Sequence, residues 1–448
     1  MYSAVILAGG VGKRFNSKTP KIMHRLGEKP IIYHSLETLK ALGDVNEVIV
    51  VTSPQIAKLL PEDIKIVIQE EPLGTAHAAF LGAQSAINDS LLIVNADIPL
   101  VSKETFESFI SSPSLRSIGV TRFPFESDFG RVRFADGLLR QIVEFSDLEG
   151  QRDKDIPFVN TGVYKALKQD ILEIFPLLRT ENAKKEYYIT DMFNMLAQKQ
   201  GVSILMFNDW EQFLGINTRH DLAKVFAVYK ERILERVMEQ ATVIDPNTTF
   251  IGERVSIGQD TVIYPNTTIL GETIIGQNCS IGPNVEIKDS KVGDDCEIKF
   301  SVVEEATIDN DVSVGPFGRV RPGAHLCDGA KIGNFVEIKN SSIGKHTKVN
   351  HLSYIGDAQV GEDTNIGAGT ITCNYDGYTK NRTVIGDRVF IGSDTILVAP
   401  VELEDDVFTA AGSVITDKIP RYSLGIGRAR QLNKDGWVKE YRRKKEMK

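Results

Sequence analysis

The apolar positions of the chain follow two different periods, and the change falls near residue 250. In the first 217 residues, four continuous apolar runs alternate with segments of helical spacing; the runs are AVILA, VNEVIVVTS, IKIVIQ and SLLIVNAD. Continuous apolar runs are typical of parallel strands that are buried on both faces. The pattern therefore predicts a mostly parallel sheet with helices on both sides, in which segments such as PIIYHSLETLKAL form the helices.

Beyond residue 250, aliphatic residues recur every six positions, a period that no helix has. The repeat is unbroken from Ile251 to Ile287, resumes from Ile308 to Ile338 and returns from Ile385 to Leu403. A prism of short strands, each with one inward aliphatic side chain, has this period. The second half is therefore predicted to be a left-handed parallel β-helix of hexapeptide repeats. The polar and aromatic interruption CNYDGYTKNRTV at 373–384 is predicted to be a loop outside the prism.

Between the two patterns lies a segment whose apolar residues have helical spacing: Leu222, Val225, Phe226, Tyr229, Ile233 and Val237. Thr218 and Asp221 have the spacing of a capping box at its start. We therefore expect an α/β domain over 1–219, a linker helix over 220–242 and the β-helix with its tail over 243–448. About 20 helical residues span roughly 30 Å, so the helix is expected to separate the two domains.

Composition narrows the class of protein. The 448 residues suit two or three domains, and 42% hydrophobic with 25% charged residues is typical of a soluble globular protein. A net charge of −8 argues against a nucleic-acid partner, and the basic ending EYRRKKEMK is short enough to be a solvated tail. No secretory signal and no apolar run approaching 18 residues is found, so a cytoplasmic protein without membrane insertion is expected. The four cysteines, Cys279, Cys296, Cys327 and Cys373, fit neither a metal pair nor a disulfide framework and are expected to be reduced.

The first candidate site is the glycine-rich segment ILAGGVGKRF at 6–15, which follows an apolar strand. It matches neither the P-loop nor the dinucleotide fingerprint. Glycines after a parallel strand expose backbone N–H groups that bind phosphate, and Lys13, Arg14 and Lys21 add charge that suits a polyphosphate. The alternative is an ordinary turn with surface lysines.

A second candidate is Asp97, which closes the run SLLIVNAD. A carboxylate at the carboxyl end of a parallel strand points into the ligand crevice of an α/β sheet. As a hard oxygen ligand it suits Mg²⁺ that bridges substrate phosphates. The alternative is an aspartate at a strand-ending turn before Pro99.

These motifs carry a family resemblance. The loop and the following Lys21 resemble the L-A-G-G-x-G-T-R-[LM] loop of sugar-phosphate nucleotidylyltransferases, with Lys13 where threonine is usual. The chain is most similar, over nearly its whole length, to the bacterial bifunctional N-acetylglucosamine-1-phosphate uridyltransferase/glucosamine-1-phosphate acetyltransferases. The matching segments occur in order as QEEPLGTAHA (69–78), NADIPL (95–100), FGRV (129–132), IVEFSD (142–147), VNTGVY (159–164), EYYITD (186–191) and GINTR (215–219).

The resemblance implies uridylyl transfer from UTP to N-acetylglucosamine-1-phosphate in the first domain, which would be a Rossmann-like nucleotidylyltransferase. The implied nucleotide and sugar-nucleotide residues are Leu7, Ala8, Gly9, Gly10, Lys21, Gln69, Gly74, Thr75, Gly130, Glu144, Asn160 and Asn217. Gln69, Gly74 and Thr75 would hold uracil and ribose, and Gly130, Glu144 and Asn160 the N-acetylglucosamine unit. Asp97 and Asn217 would hold Mg²⁺, and Lys21 and Arg14 would meet the phosphates. Asn95 and Ala96 stand where the family usually has glycine before the metal aspartate.

The β-helix contains a second concentration of polar residues around the extruded loop: Arg321, Lys339, His351, Tyr354, Asn365, Asn374, Tyr375 and Lys380. Arginine and lysine suit a sugar phosphate, and histidine suits a general base. The alternative is a β-helix with a purely structural role.

The resemblance implies that His351 takes a proton as the amino group of glucosamine-1-phosphate attacks acetyl-CoA. Arg321, Lys339, Tyr354 and Lys380 would hold the sugar phosphate, and Asn365 and Asn374 the sugar. The coenzyme A site would comprise Ala368, Ser393, Ala411 and Arg428, with a backbone N–H near Ala368 as oxyanion donor. It also implies a homotrimer with sites shared between chains. Two alternatives stay open: a single-activity nucleotidylyltransferase whose β-helix only oligomerises it, and an inactive regulatory subunit.

Overall fold

The computed structural model describes residues 1–10, 12–148 and 155–447. The chain divides into two compact units, Met1–Lys230 and Glu231–Lys448, and each is described by itself.

The first unit is built on eleven strands and seven α-helices among its described residues, the last helix continuing into the second unit. The strands are β1 Tyr2–Ala8, β2 Arg25–Leu26, β3 Lys29–Pro30, β4 Val45–Thr52, β5 Lys65–Ile68, β6 Ser90–Asn95, β7 Ser117–Arg122, β8 Arg131–Ala135, β9 Leu138–Val143, β10 Phe158–Leu167 and β11 Ser203–Phe207. The helices are α1 Ile31–Lys40, α2 Pro54–Ala57, α3 Thr75–Ser85, α4 Lys103–Ser111, α5 Lys168–Ile174, α6 Ile189–Gln200 and α7 Arg219–Met238. The four apolar runs form β1, β4, β5 and β6, as predicted.

Nine of these strands form one sheet in the order β5-β4-β1-β6-β10-β7-β11-β9-β8. The strands β5, β4, β1 and β6 are parallel, as predicted, but β10 runs antiparallel to both β6 and β7. The sheet is therefore mixed: β7 and β11 are again parallel to each other, and the mostly parallel arrangement that the pattern predicts is interrupted by β10 and by the antiparallel pair β8 and β9. An apolar run shows that a strand is buried but not its direction, so the sequence pattern did not distinguish the two cases.

Helices cover both faces of this sheet, as predicted. Alternate residues of β1 point to opposite sides, so Val5 enters a core with α3 and α6, whereas Ile6 enters a core with α1 and α4. The carboxyl ends of β1 and β6 therefore lie side by side, because Leu7 of β1 pairs with Asn95 of β6. This places the glycine-rich loop beside the segment that carries Asp97.

Helix α7 begins with the capping box that the sequence predicts. Asp221 N donates to Thr218 Oγ1 over 3.1 Å, and Thr218 N donates to Asp221 Oδ2 over 2.8 Å. The helix is 20 residues long, and the division between the two compact units falls within it.

The second unit is a stack of parallel strands on three faces, which is the architecture of a left-handed β-helix of hexapeptide repeats. The first face comprises Thr242–Val243, Val262–Ile263, Ser280–Ile281, Glu297–Ile298, Ser313–Val314, Lys331–Asn334, Lys348–His351, Asn365–Ile366, Phe390–Ile391, Phe408–Thr409 and Leu424–Gly425. The second comprises Phe250–Ile251, Thr267–Leu270, Val285–Lys288, Val302–Glu304, Arg319–Val320, Glu337–Lys339, Tyr354–Gly356, Ile371–Cys373, Ile396–Val398 and Val414–Ile415. The third comprises Ser256–Ile257, Ile274–Ile275, Lys291–Val292, Thr307–Ile308, His325–Leu326, Ser342–Ile343, Ala358–Val360, Thr383–Ile385 and Val401–Leu403.

The six-residue period is confirmed by burial. Every aliphatic residue of the repeat from Ile251 to Leu403 that the sequence singles out is at most 8% exposed. The interruption is a loop between Cys373 and Thr383, as predicted, and its Tyr378 is 94% exposed. The four cysteines are free thiols; Cys279 and Cys296 are buried in the stack, whereas Cys327 and Cys373 are half-buried. A last helix, α8 Trp437–Glu446, follows the prism.

Candidate active sites

The first unit contains a cleft of about 660 Å³ at the carboxyl ends of its strands. Seven residues that the family resemblance singles out line it: Arg14, Thr75, Asp97, Gly130, Glu144, Asn160 and Asn217. They come from loops, from the start of α3 and from β10, up to about 200 residues apart in sequence, so the fold alone assembles this set.

Lys21, Asp97 and Asn217 form the charged centre of this region. Lys21 Nζ donates to Asp97 Oδ2 over 2.7 Å and to Asn217 Oδ1 over 3.3 Å. Lys21 is only 9% exposed, so the carboxylate that meets its ammonium group also compensates a buried charge. Two oxygen acceptors, one of them anionic, thus converge on a single cation. Arg14 is more exposed and lies 3.6 Å from Asp128.

Glu144 and Asn160 are held in place by neighbouring side chains. Thr190 Oγ1 donates to Glu144 Oε1 over 2.8 Å, and Asn160 Nδ2 donates to Tyr164 Oη over 2.6 Å. Burial raises the pKa of Glu144 although the hydrogen bond from Thr190 opposes the shift. The wall of the cleft is therefore a set of fixed hydrogen-bonding groups, which suits a hydroxyl-rich ligand.

A smaller pocket of about 130 Å³ adjoins the glycine-rich loop. Six of the residues that the sequence predicts to bind the nucleotide line this pocket: Leu7, Gly9, Gly10, Gln69, Gly74 and Thr75. Ala8 ends β1 beside them, where its carbonyl accepts from Thr52 Oγ1 over 3.0 Å. Gly74 has a φ of +119°, and a Cβ there would lie 2.4 Å from the Tyr187 carbonyl oxygen, so only glycine fits this turn.

The residues that were not predicted from the sequence include three that line the large cleft, Tyr164, Lys184 and Tyr188, and one that lies behind Glu144, Thr190. Tyr164 is completely buried, which raises the pKa of its hydroxyl. Three of the four lie within the segments VNTGVY and EYYITD that carry the family resemblance. The motif gave their positions, but only the fold shows which of their side chains face the cleft.

In the second unit, His351 lies at the corner between the first and second faces. Its Nδ1 is 2.8 Å from Asn334 Oδ1 in the coil below. The main chain of successive coils stacks along this corner, since Gly369 N donates to the His351 carbonyl and Asp394 N to the Ala368 carbonyl. The next hydrogen bond along this corner runs from Gly412 N to the Ser393 carbonyl, which places Ala411, the residue before Gly412, in the same stack. Three of the four predicted coenzyme A residues therefore follow His351 up one corner.

The cationic residues gather near the opposite corner, between the second and third faces. The Lys339 ammonium group beside Lys380 lowers the pKa of Lys380, because two positive charges repel each other. Arg321 donates to Glu337 over 2.6 Å, an ion pair that raises the pKa of the arginine. Asn374 donates to Asp357 below it. Lys380 lines a groove of about 570 Å³ that also includes His325 and Arg382.

The predicted residues of this second site are thus divided within one chain. His351 and Lys380 lie at the two edges of the second face, and Tyr354 lies on the face between them. Asn365 lies on the first face, and Tyr375 is 62% exposed in the loop, where its hydroxyl donates to the Gly377 carbonyl. Arg428 is exposed beyond the last strand. A single chain therefore carries the predicted residues in separate groups, with His351 and Lys380 at different edges of the second face.

Comparisons with known proteins bear on both units. Residues 4–150 match the MobA-like NTP transferase domain, residues 254–289 the bacterial transferase hexapeptide with six repeats, and residues 382–417 the hexapeptide repeat of succinyl-transferase. The bifunctional protein GlmU of Pseudothermotoga lettingae is 46% identical over 451 residues, which cover 99% of each chain. That of Fervidobacterium nodosum is 43% identical over 444 residues, covering 98% of this chain and 97% of its own. The chain belongs to the GlmU family.

Membership in the GlmU family extends over both units, because the aligned residues cover almost all of this chain and of its relatives. The family is thus the one that the sequence motifs indicate. Within the described residues, no helix has the length and apolarity needed to cross a membrane.

Proposed function

We propose that the chain catalyses two consecutive steps of UDP-N-acetylglucosamine synthesis. The second unit acetylates glucosamine-1-phosphate with acetyl-CoA, and the first unit transfers a uridylyl group from UTP to the resulting N-acetylglucosamine-1-phosphate. The observation that carries this proposal is the convergence of Lys21, Asp97 and Asn217 beside a cleft lined by Glu144 and Asn160.

The uridylyl transfer needs positioning and charge neutralisation more than proton transfer. A phosphate oxygen of the sugar phosphate attacks the α-phosphorus of UTP, and the bond to pyrophosphate breaks in line. The nucleophile is already an anion, so no general base is required. Lys21, Arg14 and the backbone N–H groups after β1 would stabilise the developing negative charge. Gln69, Gly74 and Thr75 would hold the base and ribose, with Gly130, Glu144 and Asn160 on the sugar.

The residues present suit a magnesium ion in this site. Asp97 Oδ2 and Asn217 Oδ1 are hard oxygen donors that already converge on the cationic Lys21 Nζ. Asp97 and Asn217 would hold Mg²⁺, which supplies Lewis-acid stabilisation of the phosphate oxygens when bound.

The acetyl transfer is assigned to the corner of the β-helix that carries His351. The amino group of glucosamine-1-phosphate attacks the thioester carbonyl, its proton passes to His351, and the bond to sulfur breaks so that coenzyme A leaves as the thiolate, which takes that proton from His351. Asn334 would fix the orientation of the imidazole through Nδ1. Arg321, Lys339, Tyr354 and Lys380 would bind the sugar phosphate with Asn365, Asn374 and Tyr375 on the sugar, and Ala368, Ser393, Ala411 and Arg428 would line the coenzyme A site.

We further propose that three chains assemble through their prisms and that each acetyl-transfer site is shared between chains. The separation of His351 and Lys380 on opposite edges of one face supports this, since two half-sites on neighbouring chains can meet. Sedimentation equilibrium at micromolar concentration should give three times the mass of one chain. A monomer at that concentration would contradict the proposal.

The experiment that tests the function supplies the purified chain with Mg²⁺ and defined substrate pairs, and identifies products by mass spectrometry. Glucosamine-1-phosphate and acetyl-CoA should give N-acetylglucosamine-1-phosphate, and that product with UTP should give UDP-N-acetylglucosamine and pyrophosphate. Uridylyl transfer without acetylation would favour a single-activity nucleotidylyltransferase. The absence of both reactions would favour an inactive regulatory subunit.

A further inference from the structure

The small pocket beside the glycine-rich loop is lined by Gln69, one member of a side-chain pair that the proposed function does not use in full. Gln69 is only 4% exposed, and its Nε2 donates to the Gly74 carbonyl over 3.1 Å. The same Nε2 lies 3.1 Å from Nδ1 of His77, a residue in the first turn of α3. Both amide hydrogens of Gln69 therefore have an acceptor, provided that Nδ1 carries no proton.

The surroundings of His77 keep its ring neutral. Desolvation by burial lowers the pKa of His77, although the carboxylate of Glu71 acts in the opposite direction. The ring also lies at the amino-terminal end of α3, where the helix dipole disfavours a positive charge. It stacks on Phe175 with the centroids 5.7 Å apart, which holds the plane of the imidazole. In the tautomer with its hydrogen on Nε2, Nδ1 is an acceptor that faces the Gln69 amide.

With both amide hydrogens engaged, the orientation of the Gln69 side chain is determined. Rotating the amide by 180° would place its oxygen against the Gly74 carbonyl and the His77 nitrogen, so that acceptors face acceptors. The amide oxygen therefore points to the pocket, where a Cβ on Gly9 would lie 2.2 Å from it. Within the part of the chain that the structure describes, no protein donor meets this oxygen.

We infer that His77 is a positioning residue that sets the choice of pyrimidine base, an inference that rests on the proposed binding of UTP in this pocket. An amide oxygen that faces the pocket and has no protein donor can accept a hydrogen bond from the N3–H of uracil. The N3 of cytosine carries no hydrogen and presents a lone pair, which the same oxygen repels. His77 would thus act on selectivity through Gln69 without touching the nucleotide.

The test compares UTP and CTP as substrates for the full-length chain with N-acetylglucosamine-1-phosphate and Mg²⁺. His77→Phe keeps a ring against Phe175 but removes the acceptor. His77→Asn is the matched control, because its amide oxygen can take the place of Nδ1. We expect His77→Phe to lower the ratio of kcat/KM for UTP over CTP by about fivefold, the factor for one lost neutral hydrogen bond, mainly through a higher KM for UTP. His77→Asn should keep the wild-type ratio.

An unchanged ratio in His77→Phe, or an equal loss in His77→Asn, would overturn the inference. If His77→Phe does not fold, His77→Gln replaces it, because its longer amide reaches the position of Nε2 and not that of Nδ1. The control for the proposed function is the unmodified chain. Failure of that chain to use UTP would remove the proposed function, whereas normal use of UTP with a ratio insensitive to His77 would remove only this inference.

Discussion

Replacing Asp97 by asparagine should separate the two activities. The substitution keeps an oxygen that can accept from Lys21 Nζ, which is 2.7 Å from the carboxylate, but it removes the negative charge. The Lys21 ammonium group keeps its charge, so one charge-assisted hydrogen bond remains and the attraction between the two charges is lost, which for this largely buried pair should cost the first unit about 1–2 kcal/mol of stability. For a unit of this size that corresponds to a fall of about 2–8 °C in Tm.

The effect of Asp97→Asn on catalysis should be larger than its effect on stability. Loss of one well-placed group that stabilises the transition-state charge costs roughly 3–4 kcal/mol, which is a hundredfold or more in rate. Uridylyl transfer should therefore fall at least a hundredfold while acetyl transfer is unchanged, because His351 belongs to the other compact unit. Differential scanning calorimetry and separate assays of the two half-reactions measure both effects.

The matched variant for this prediction is His351→Ala, which should lose roughly 10²–10⁴-fold of acetyl transfer and keep uridylyl transfer. Circular dichroism confirms that each variant is folded. A folded Asp97→Asn protein that lost both activities, or neither, would refute the role given to Asp97. The same pair of results for His351→Ala would refute the role given to His351.

Three further predictions concern the first unit. The raised pKa of Glu144 means that the folded state binds its proton more tightly than the unfolded state does. The stability of the first unit should therefore increase as the pH falls through that pKa towards the unfolded value near 4.3. Glu144→Gln should flatten this part of a plot of Tm against pH. Arg116 donates to Asp170 over 2.7 and 2.8 Å. Asp170→Ala leaves this arginine without its partner in a largely buried position. The free energy of unfolding of the unit, measured by urea unfolding, should therefore fall by about 3 kcal/mol. A chain ending at Lys230 should keep uridylyl transfer, and a folded truncation that binds UTP without turnover would contradict the assignment of that site.

The β-helix was predictable from the sequence in more detail than the α/β unit. Each inward position of the prism has the same environment, so Ile263 and Ile391, more than a hundred residues apart, are both aliphatic and both buried. The direction of strand β10 follows from no such repeat, because it depends on the two strands between which β10 lies in the sheet. Burial follows from the residues, whereas direction follows from the topology.

The candidate sites divide in the same way. The sequence placed Asp97 and the glycine-rich loop together, because the carboxyl ends of parallel strands meet. The sequence did not indicate that His351 and Lys380 lie at different edges of one face. Lys380 belongs to the loop between the second and third faces, and the position of a loop residue depends on the length and path of its loop. His77 was missed because its partner is the Gln69 amide, and a hydrogen bond between side chains leaves no periodic signal.

The order of strands along the first face has a consequence for how heat inactivates the protein. Each coil contacts only its neighbours, so a stack of this kind frays from its ends. The strand that carries His351 is the seventh of eleven, with six before it and four after it. Ala368, Ser393 and Ala411 follow the eighth, ninth and tenth strands, so among the described residues one strand of this face, Leu424–Gly425, lies beyond them. Fraying at the carboxyl end should therefore weaken the binding of acetyl-CoA first, whereas the opposite end can loosen by several coils without cost to acetyl transfer.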